Sequence, residues 1–109
     1  MKRVGAILGL KPEAYEEYSR YHRKIWPEIE AAIREAGITN YSIYHFRGTM
    51  FAYFEYAGPE GEYKERMQRL DSAPRMQEWY GIMRQFQVPV EGRQPGEWWA
   101  AMEEVFHQD

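Results

Sequence analysis

The N-terminal part of the chain combines a short apolar run with a long helical repeat. Residues 4–10 are apolar on both faces, which is typical of a buried strand. Between residues 14 and 36, apolar side chains recur at three- and four-residue spacings, which predicts an amphipathic helix. Pro27 is expected to kink or restart this helix, and Gly37 to end it. The stripe expected to face the core consists of Ala14, Tyr15, Tyr18, His22, Ile25, Ile29, Ala32, Ile33 and Ala36.

The central part of the chain has the pattern of a β-hairpin followed by helices. Residues 41–46 and 50–56 alternate and are rich in aromatic side chains, and Arg47-Gly48-Thr49 provides a turn between them. Two helical patterns follow, from about Glu60 to Leu70 and from Pro74 to about Gln85.

The C-terminal part of the chain holds a loop and one more predicted strand. Residues 88–96 contain two prolines and two glycines, which favours an ordered loop. Residues 98–107 are expected to contain the last strand, with Met102–His107 as its bounds. The order of elements is therefore β-α-β-β-α-β, which predicts an α+β fold of the ferredoxin-like type, in one domain spanning residues 1–109.

The predicted strands are apolar on both faces, although the helices of such a fold cover only one face of the sheet. The uncovered face therefore predicts contact with a second subunit, most simply in an isologous homodimer. Aromatic residues make up 17% of the chain, with nine Tyr, five Phe and four Trp. This excess fits either a subunit interface or an aromatic-lined pocket, and the composition leaves both uses open.

The composition argues against several classes of function. The net charge is −3 and no basic stripe is present, so nucleic acid is not an expected partner. The chain has no cysteine, which excludes disulfides and thiolate ligands. No apolar segment has the length of a signal peptide or a membrane span, so a cytoplasmic enzyme without membrane contact is expected. His45 and His107 have no partners at metal-ligand spacing, and neither a metal nor another cofactor is expected.

Tyr18 and His22 are the candidate chemical groups, because they lie one helical turn apart on the predicted core-facing stripe. Taken alone, His22 is more simply a hydrogen-bonded core histidine. An imidazole beside a phenol, close to aromatic strands, also suits a cleft for a polar ligand. The chemistry offered is proton transfer without a cofactor. Trp98 and Trp99 fit either a lid or a subunit contact.

Four blocks of the sequence, spread over nearly the whole chain, carry a family resemblance. They are Tyr18-x-x-x-His22-x-x-Ile25-Trp26-Pro27-Glu28, Asn40-Tyr41-x-Ile43-Tyr44, Trp79-Tyr80-x-x-Met83 and Glu103-Glu104-Val105-Phe106-His107. In this order they resemble the L-rhamnose mutarotase family. The resemblance implies a dimeric α/β barrel, in which two ferredoxin-like subunits pack sheet to sheet. It also implies that His22 is the proton donor and that the sugar is bound by Tyr18, Tyr41, Trp79 and Tyr80.

The chain departs from the family pattern at the aromatic pair. The better-known members carry two tryptophans there, whereas this chain has Trp79 followed by Tyr80. The expected reaction is exchange between the α and β anomers of a 6-deoxyhexose. L-rhamnose is ranked first as the sugar and L-fucose second, and the departure at Tyr80 bears on this choice. The alternatives are a haem-degrading or quinone-forming monooxygenase on the same fold, and a sugar-binding module without catalysis.

Overall fold

The chain forms an antiparallel sheet with helices on one face, and the computed structural model describes all residues from 1 to 109. The strands are β1 (Lys2–Leu10), β2 (Ile38–Phe46), β3 (Thr49–Tyr56), β4 (Gln87–Val88) and β5 (Ala100–Met102). The helices are α1 (Tyr15–Arg23), α2 (Pro27–Glu35), α3 (Tyr63–Ser72) and α4 (Pro74–Met83), and a 3₁₀ turn (Pro12–Ala14) precedes α1. The predicted α+β fold is confirmed, with a sheet that curls into a half-barrel. None of the helices combines the length and the apolar character needed to cross a bilayer.

β1 lies inside the sheet, in the strand order β2-β3-β1-β4, and β5 also pairs with it. Its pairing with β3 is antiparallel from Lys2 to Gly9. The opposite edge is shared, because β4 pairs with Gly9–Leu10 and β5 with Gly5–Ile7. A Cβ atom at Gly9 would lie 2.7 Å from the carbonyl oxygen of Val88, so a glycine is required for β4 to approach this closely.

The core lies between the helices and the face of the sheet that they cover. Along β1 every second side chain is buried, and these are Ala6, Leu8 and Leu10. The rest of the core comes from the covered faces of the helices and of the hairpin: Ala14, Tyr18, Ile29, Ala36, Ile38, Met50, Leu70, Met76, Trp79 and Met83.

Pro27 restarts the first helical segment instead of bending it. α1 ends at Arg23, and α2 begins with Pro27 in its first turn, where the missing N–H of proline leaves no hydrogen bond unmade. Trp26 has φ −62° and ψ 132°, the extended conformation favoured before proline. Gly37 follows α2 with a φ of 95°, and it ends the helix as predicted.

β2 and β3 form the predicted hairpin. Phe46 pairs with Thr49, so the loop consists of Arg47 and Gly48. Both loop residues have positive φ, 48° and 79°, as in a type I′ turn. β2 begins at Ile38 and is longer than predicted. The sequence pattern missed its first residues because a bulge there interrupts the alternation of side chains.

The later elements differ from the prediction at their boundaries. α3 begins at Tyr63 and not at Glu60, since Gly61 adopts a φ of 85° that a right-handed helix cannot contain. α4 ends at Met83. The segment predicted to be a loop from Val88 onward begins with the short strand β4.

A last strand lies within residues 98–107 as predicted, but its expected bounds, Met102–His107, are wrong. The strand is Ala100–Met102, and the residues after it make no strand pairing. Glu104 continues the register opposite Arg3, and the two side chains form an ion pair of 2.9 Å. β1 begins at Lys2, next to Arg3, so the tail beyond this point has no neighbouring strand with which to pair.

The uncovered face of the sheet exposes several aromatic side chains. Tyr44 is 65% exposed and Phe46 68%, and Phe51 and Tyr53 are also exposed. This arrangement agrees with the prediction that the strands are apolar on both faces.

Candidate active site

A cleft of about 1430 Å³ lies between the helices and the covered face of the sheet. The side chains that line it come from all four helices, from the strands and from the segment that precedes β5. The fold brings together in this cleft all the residues that the sequence suggested for the site: Tyr18, His22, Tyr41, Trp79 and Tyr80.

α1 holds Tyr18 and His22 side by side, with 4.4 Å between their ring centroids. The Nδ1 atom of His22 lies 2.9 Å from the backbone carbonyl oxygen of Tyr18. A carbonyl oxygen can only accept a hydrogen bond, so Nδ1 carries the proton of the neutral ring. The Nε2 atom makes no hydrogen bond to the protein, and in this tautomer it presents a lone pair.

The surroundings of His22 favour its neutral form. Burial lowers the pKa of the imidazole below its ordinary value of 6.5, and the hydrogen bond to the Tyr18 carbonyl opposes this shift without cancelling it. The ring is therefore deprotonated at neutral pH, and Nε2 is available as a base.

Trp79 forms the wall behind the imidazole. Its ring meets that of His22 edge-on, with 5.5 Å between the centroids. Tyr21 and Trp26 pack against the same indole, at 6.0 and 5.1 Å. Trp79 is only 6% exposed, so packing fixes the indole and leaves a small part of it facing the cleft.

A β-bulge directs Tyr41 into the cleft. The register between β2 and β3 shifts after Thr39, where β2 contains one extra residue. Asn40 adopts a φ of 48° in the bulge, and its Nδ2 atom donates to Glu55 at 2.7 Å. Because side chains alternate along a strand, the extra residue places Tyr41 on the same face as Ile38, toward the helices.

Tyr80 and Asp71 form a polar pair in the wall of the cleft. The Tyr80 hydroxyl donates to Oδ1 of Asp71 at 2.6 Å. Burial, and then this hydrogen bond, raise the pKa of Tyr80. Burial also raises the pKa of Tyr41 to about 12, with smaller contributions from Tyr18 and Asp71. These phenols are therefore neutral at physiological pH and act as hydrogen-bonding groups, not as acids.

Gln87 and Trp98 complete the site, although the sequence did not single out Gln87. The indole N–H of Trp98 donates to Oε1 of Gln87 at 2.8 Å, and Nε2 of Gln87 donates to the Tyr18 hydroxyl at 3.2 Å. Gln87 is the one polar residue among the buried ones, at 7% exposure. Both Trp98 and Trp99 line the cleft. The sequence signal that could have identified Gln87 is its polar side chain within an otherwise apolar stretch.

The other two histidines are His45 and His107. His45 is at the cleft, where its ring stacks on Tyr15 at 4.6 Å and its Nε2 accepts the N–H of Gly48 at 3.1 Å. His107 lies in the exposed C-terminal tail, 2.8 Å from Asp109. No group of three or more His, Cys, Asp or Glu side chains is arranged to hold a metal ion.

Comparison with known sequences identifies the family. The family model described as L-rhamnose mutarotase matches residues 3–108. The chain belongs to the L-rhamnose mutarotase family. Its membership makes it an isomerase that acts at an anomeric carbon, and the resemblance drawn from the four sequence blocks is confirmed.

Individual members of the family cover most or all of the chain. The L-rhamnose mutarotase of Lactiplantibacillus plantarum is 33% identical over 111 aligned positions, which span 100% of both chains. That of Escherichia coli K12 is 36% identical over 85 residues, covering 76% of this chain and 77% of the relative. The crystal structure of an L-rhamnose mutarotase from Formosa agariphila superposes with a TM-score of 0.78 over 100% of both chains, at 21% identity.

The fold is shared with an enzyme of different chemistry. Tetracenomycin F2 cyclase from Streptomyces glaucescens, a type II polyketide cyclase, has a TM-score of 0.73 at 17% identity, covering 100% of this chain and 98% of the cyclase. One fold thus carries at least two chemistries, and the assignment to the mutarotase family rests on sequence.

Proposed function

We propose that this protein exchanges the α and β anomers of L-rhamnose, with His22 as the acid–base group. The observation that carries the proposal is the His22 imidazole, whose Nδ1 is tied to the Tyr18 carbonyl at 2.9 Å while its Nε2 is free in a cleft lined by phenols. Burial lowers the pKa of this imidazole, and the neutral ring that results can take a proton and return it.

In the proposed reaction, Nε2 of His22 takes the proton of the anomeric hydroxyl. The electron pair on that oxygen forms a carbonyl as the bond between C1 and the ring oxygen breaks. The ring oxygen keeps the bonding pair and takes the proton back from Nε2. Rotation about the C1–C2 bond presents the other face of the carbonyl, and the same steps in reverse close the ring. The enzyme gains and loses no net proton, so a single imidazole suffices.

The remaining cleft residues would bind and orient the sugar. Tyr18, Tyr41 and Tyr80 are neutral phenols that can hydrogen-bond sugar hydroxyls. The cleft also has an aromatic wall, to which Trp79 contributes. Such a wall can bury the methyl group of a 6-deoxy sugar, for a gain of about 0.8 kcal/mol. This preference, together with the family, ranks L-rhamnose before L-fucose.

The test is saturation-transfer NMR between anomers for L-rhamnose, L-fucose, D-glucose and D-ribose under identical conditions. The proposal expects the greatest acceleration for L-rhamnose. If D-glucose were accelerated most, the argument from the methyl group would fail. Sugar binding without faster exchange would favour a binding module, and a haem spectrum that shifts on addition of the protein would favour a monooxygenase.

We also propose that two copies associate through the uncovered face of the sheet. The exposed aromatic side chains of β2 and β3 form an apolar surface there, of the kind that marks an interaction site. Phe106, 77% exposed, adds an apolar group from the unpaired C-terminal tail. An isologous dimer would bury the same surface on both copies, giving the dimeric α/β barrel that the family resemblance implies.

A further inference from the structure

Trp98 fixes the orientation of the Gln87 side chain. An indole N–H can donate a hydrogen bond but cannot accept one, so the Gln87 atom that it meets at 2.8 Å is the carbonyl oxygen Oε1. A flipped amide would bring two donors together. The amide nitrogen of Gln87 must therefore face the Tyr18 hydroxyl oxygen, which it does at 3.2 Å.

This orientation determines what Tyr18 can offer to a ligand. The Tyr18 oxygen accepts from Gln87, and no protein atom accepts the hydroxyl proton in return. That proton is free to point into the cleft, beside the His22 ring at 4.4 Å between centroids. If the amide were reversed, the Tyr18 hydroxyl would donate its proton to Gln87, and only a lone pair of the Tyr18 oxygen would face the sugar.

We propose that Gln87 and Trp98 are positioning residues that make the Tyr18 hydroxyl a hydrogen-bond donor to the ring oxygen of the sugar. The proposal rests on the mutarotase function proposed above. Negative charge develops on the ring oxygen as its bond to C1 breaks, and a preoriented donor at that atom stabilises the transition state more than the bound sugar. Burial raises the pKa of Tyr18, so the phenol keeps its proton and acts by hydrogen bonding.

The decisive variant is Gln87→Glu, which preserves shape and reverses the hydrogen bond. A carboxylate only accepts, so Trp98 and Tyr18 would both donate to it and the Tyr18 proton would turn away from the cleft. The exchange rate at mildly alkaline pH should fall about two- to tenfold, the worth of one hydrogen bond, as in Tyr18→Phe. The exchange rate of the double variant Tyr18→Phe/Gln87→Glu should be no lower than that of Tyr18→Phe alone. Gln85→Glu, the same change at an exposed position, should leave the rate unchanged.

The pH profile separates orientation from packing. When the introduced carboxyl is protonated it can donate to Tyr18 as the native amide does, so the loss in Gln87→Glu, relative to the native protein, should shrink as the pH falls. Gln87→Met removes both hydrogen bonds and cannot titrate, so its loss should be independent of pH. A native rate for Gln87→Glu at every pH, or a full additional loss in the Tyr18→Phe background, would overturn the proposal.

A readout that does not depend on activity distinguishes this proposal from the proposed function. The ¹³Cζ resonance of labelled tyrosine reports whether a hydroxyl donates or accepts, and that of Tyr18 is assigned by its absence in Tyr18→Phe. It should shift in Gln87→Glu and stay in place in Gln85→Glu. If the native protein accelerated no sugar, the mutarotase proposal would fail, while this resonance would still decide the direction of the hydrogen bond. An unshifted resonance in a folded Gln87→Glu variant would contradict the positioning role.

Discussion

The hydroxyl of Tyr80 donates a hydrogen bond of 2.6 Å to Oδ1 of Asp71, near the end of α3. The proton of this phenol is therefore already committed, and toward a bound sugar Tyr80 presents lone pairs that accept. Tyr80 stands at the position where the sequence departs from the tryptophan pair of the family pattern. We propose that this polar pair makes Tyr80 a hydrogen-bond acceptor for a sugar hydroxyl.

Replacing Tyr80→Trp is expected to change the ratio of anomer-exchange rates for L-rhamnose and L-fucose, because the acceptor is lost and a larger ring fills its place. Asp71→Asn should have a smaller effect in the same assay, since the amide oxygen still accepts from Tyr80 but without a charge. Saturation-transfer NMR on both sugars measures the ratio. An unchanged ratio in Tyr80→Trp would mean that Tyr80 serves packing alone.

His22→Asn should remove most of the exchange activity and leave the fold intact. Asparagine is polar and of similar size but does not titrate near neutrality, so acid–base catalysis is lost. The expected loss is about 10²–10⁴-fold. Circular dichroism and thermal unfolding check the fold. His107→Asn is the matched control, in the exposed tail, and should keep the native rate. Near-native exchange in His22→Asn would make His22 a core histidine without a catalytic role.

The lowered pKa of His22 predicts how rate and stability depend on pH. Since the base form is required, the rate should fall with decreasing pH only below the depressed pKa, at lower pH than for a free imidazole. Burial favours the neutral ring in the folded state, so the unfolded state binds more protons between the two pKa values. The associated stability is present above 6.5 and is lost as the pH falls through the folded pKa. Denaturant unfolding of the native protein and His22→Asn across this window should show a pH slope that the variant lacks.

The elements that depend on local periodicity were predictable from the sequence. The hairpin, the helix that starts at Pro74 and the stripe from Ala14 to Ala36 carry their own patterns of buried positions, although Tyr15 on that stripe is 45% exposed. The predicted bounds of the final strand were wrong because they depend on a contact that is not local. Its alternation is real, but a strand also needs a neighbour, and only the three-dimensional structure shows that β1 begins at Lys2 and leaves the tail after Glu104 without one.

Two routes led from the sequence to residues of the cleft: helical spacing gave Tyr18 and His22, and the family resemblance gave Tyr41, Trp79 and Tyr80, whereas neither route gave Gln87. Tyr18 and His22 are neighbours on α1, so their spacing revealed them. The role of Gln87 depends on its hydrogen bonds to Tyr18 and Trp98. Gln87 and Tyr18 are far apart along the chain, so the sequence does not show that they are in contact. The direction of the Tyr41 side chain depends on the bulge, and the regular alternation of residues along a strand does not reveal a bulge.

Association through the uncovered face predicts that Phe46→Asp disrupts the dimer. The side chain lies on the exposed aromatic surface, and burying a carboxylate there would cost more than the contacts return. Multi-angle light scattering at micromolar concentration should show a dimer for the native protein and a monomer for the variant. Gln85→Asp introduces the same charge at an exposed position outside this surface and should remain dimeric. A native monomer under these conditions would rule out the proposed association.

The bulge at Asn40 predicts a link between backbone conformation and sugar binding. Its φ of 48° is accessible to asparagine and glycine but costs a β-branched residue about 1–2 kcal/mol. Asn40→Val should therefore lower the free energy of unfolding by about this amount, or relax the bulge and turn Tyr41 away from the cleft. Asn40→Gly keeps the conformation and loses only the hydrogen bond to Glu55. Denaturant unfolding and titration with L-rhamnose, followed by NMR, distinguish the two variants. Weaker sugar binding in Asn40→Val than in Asn40→Gly is the expected result. Equal binding and stability would show that the bulge does not direct Tyr41.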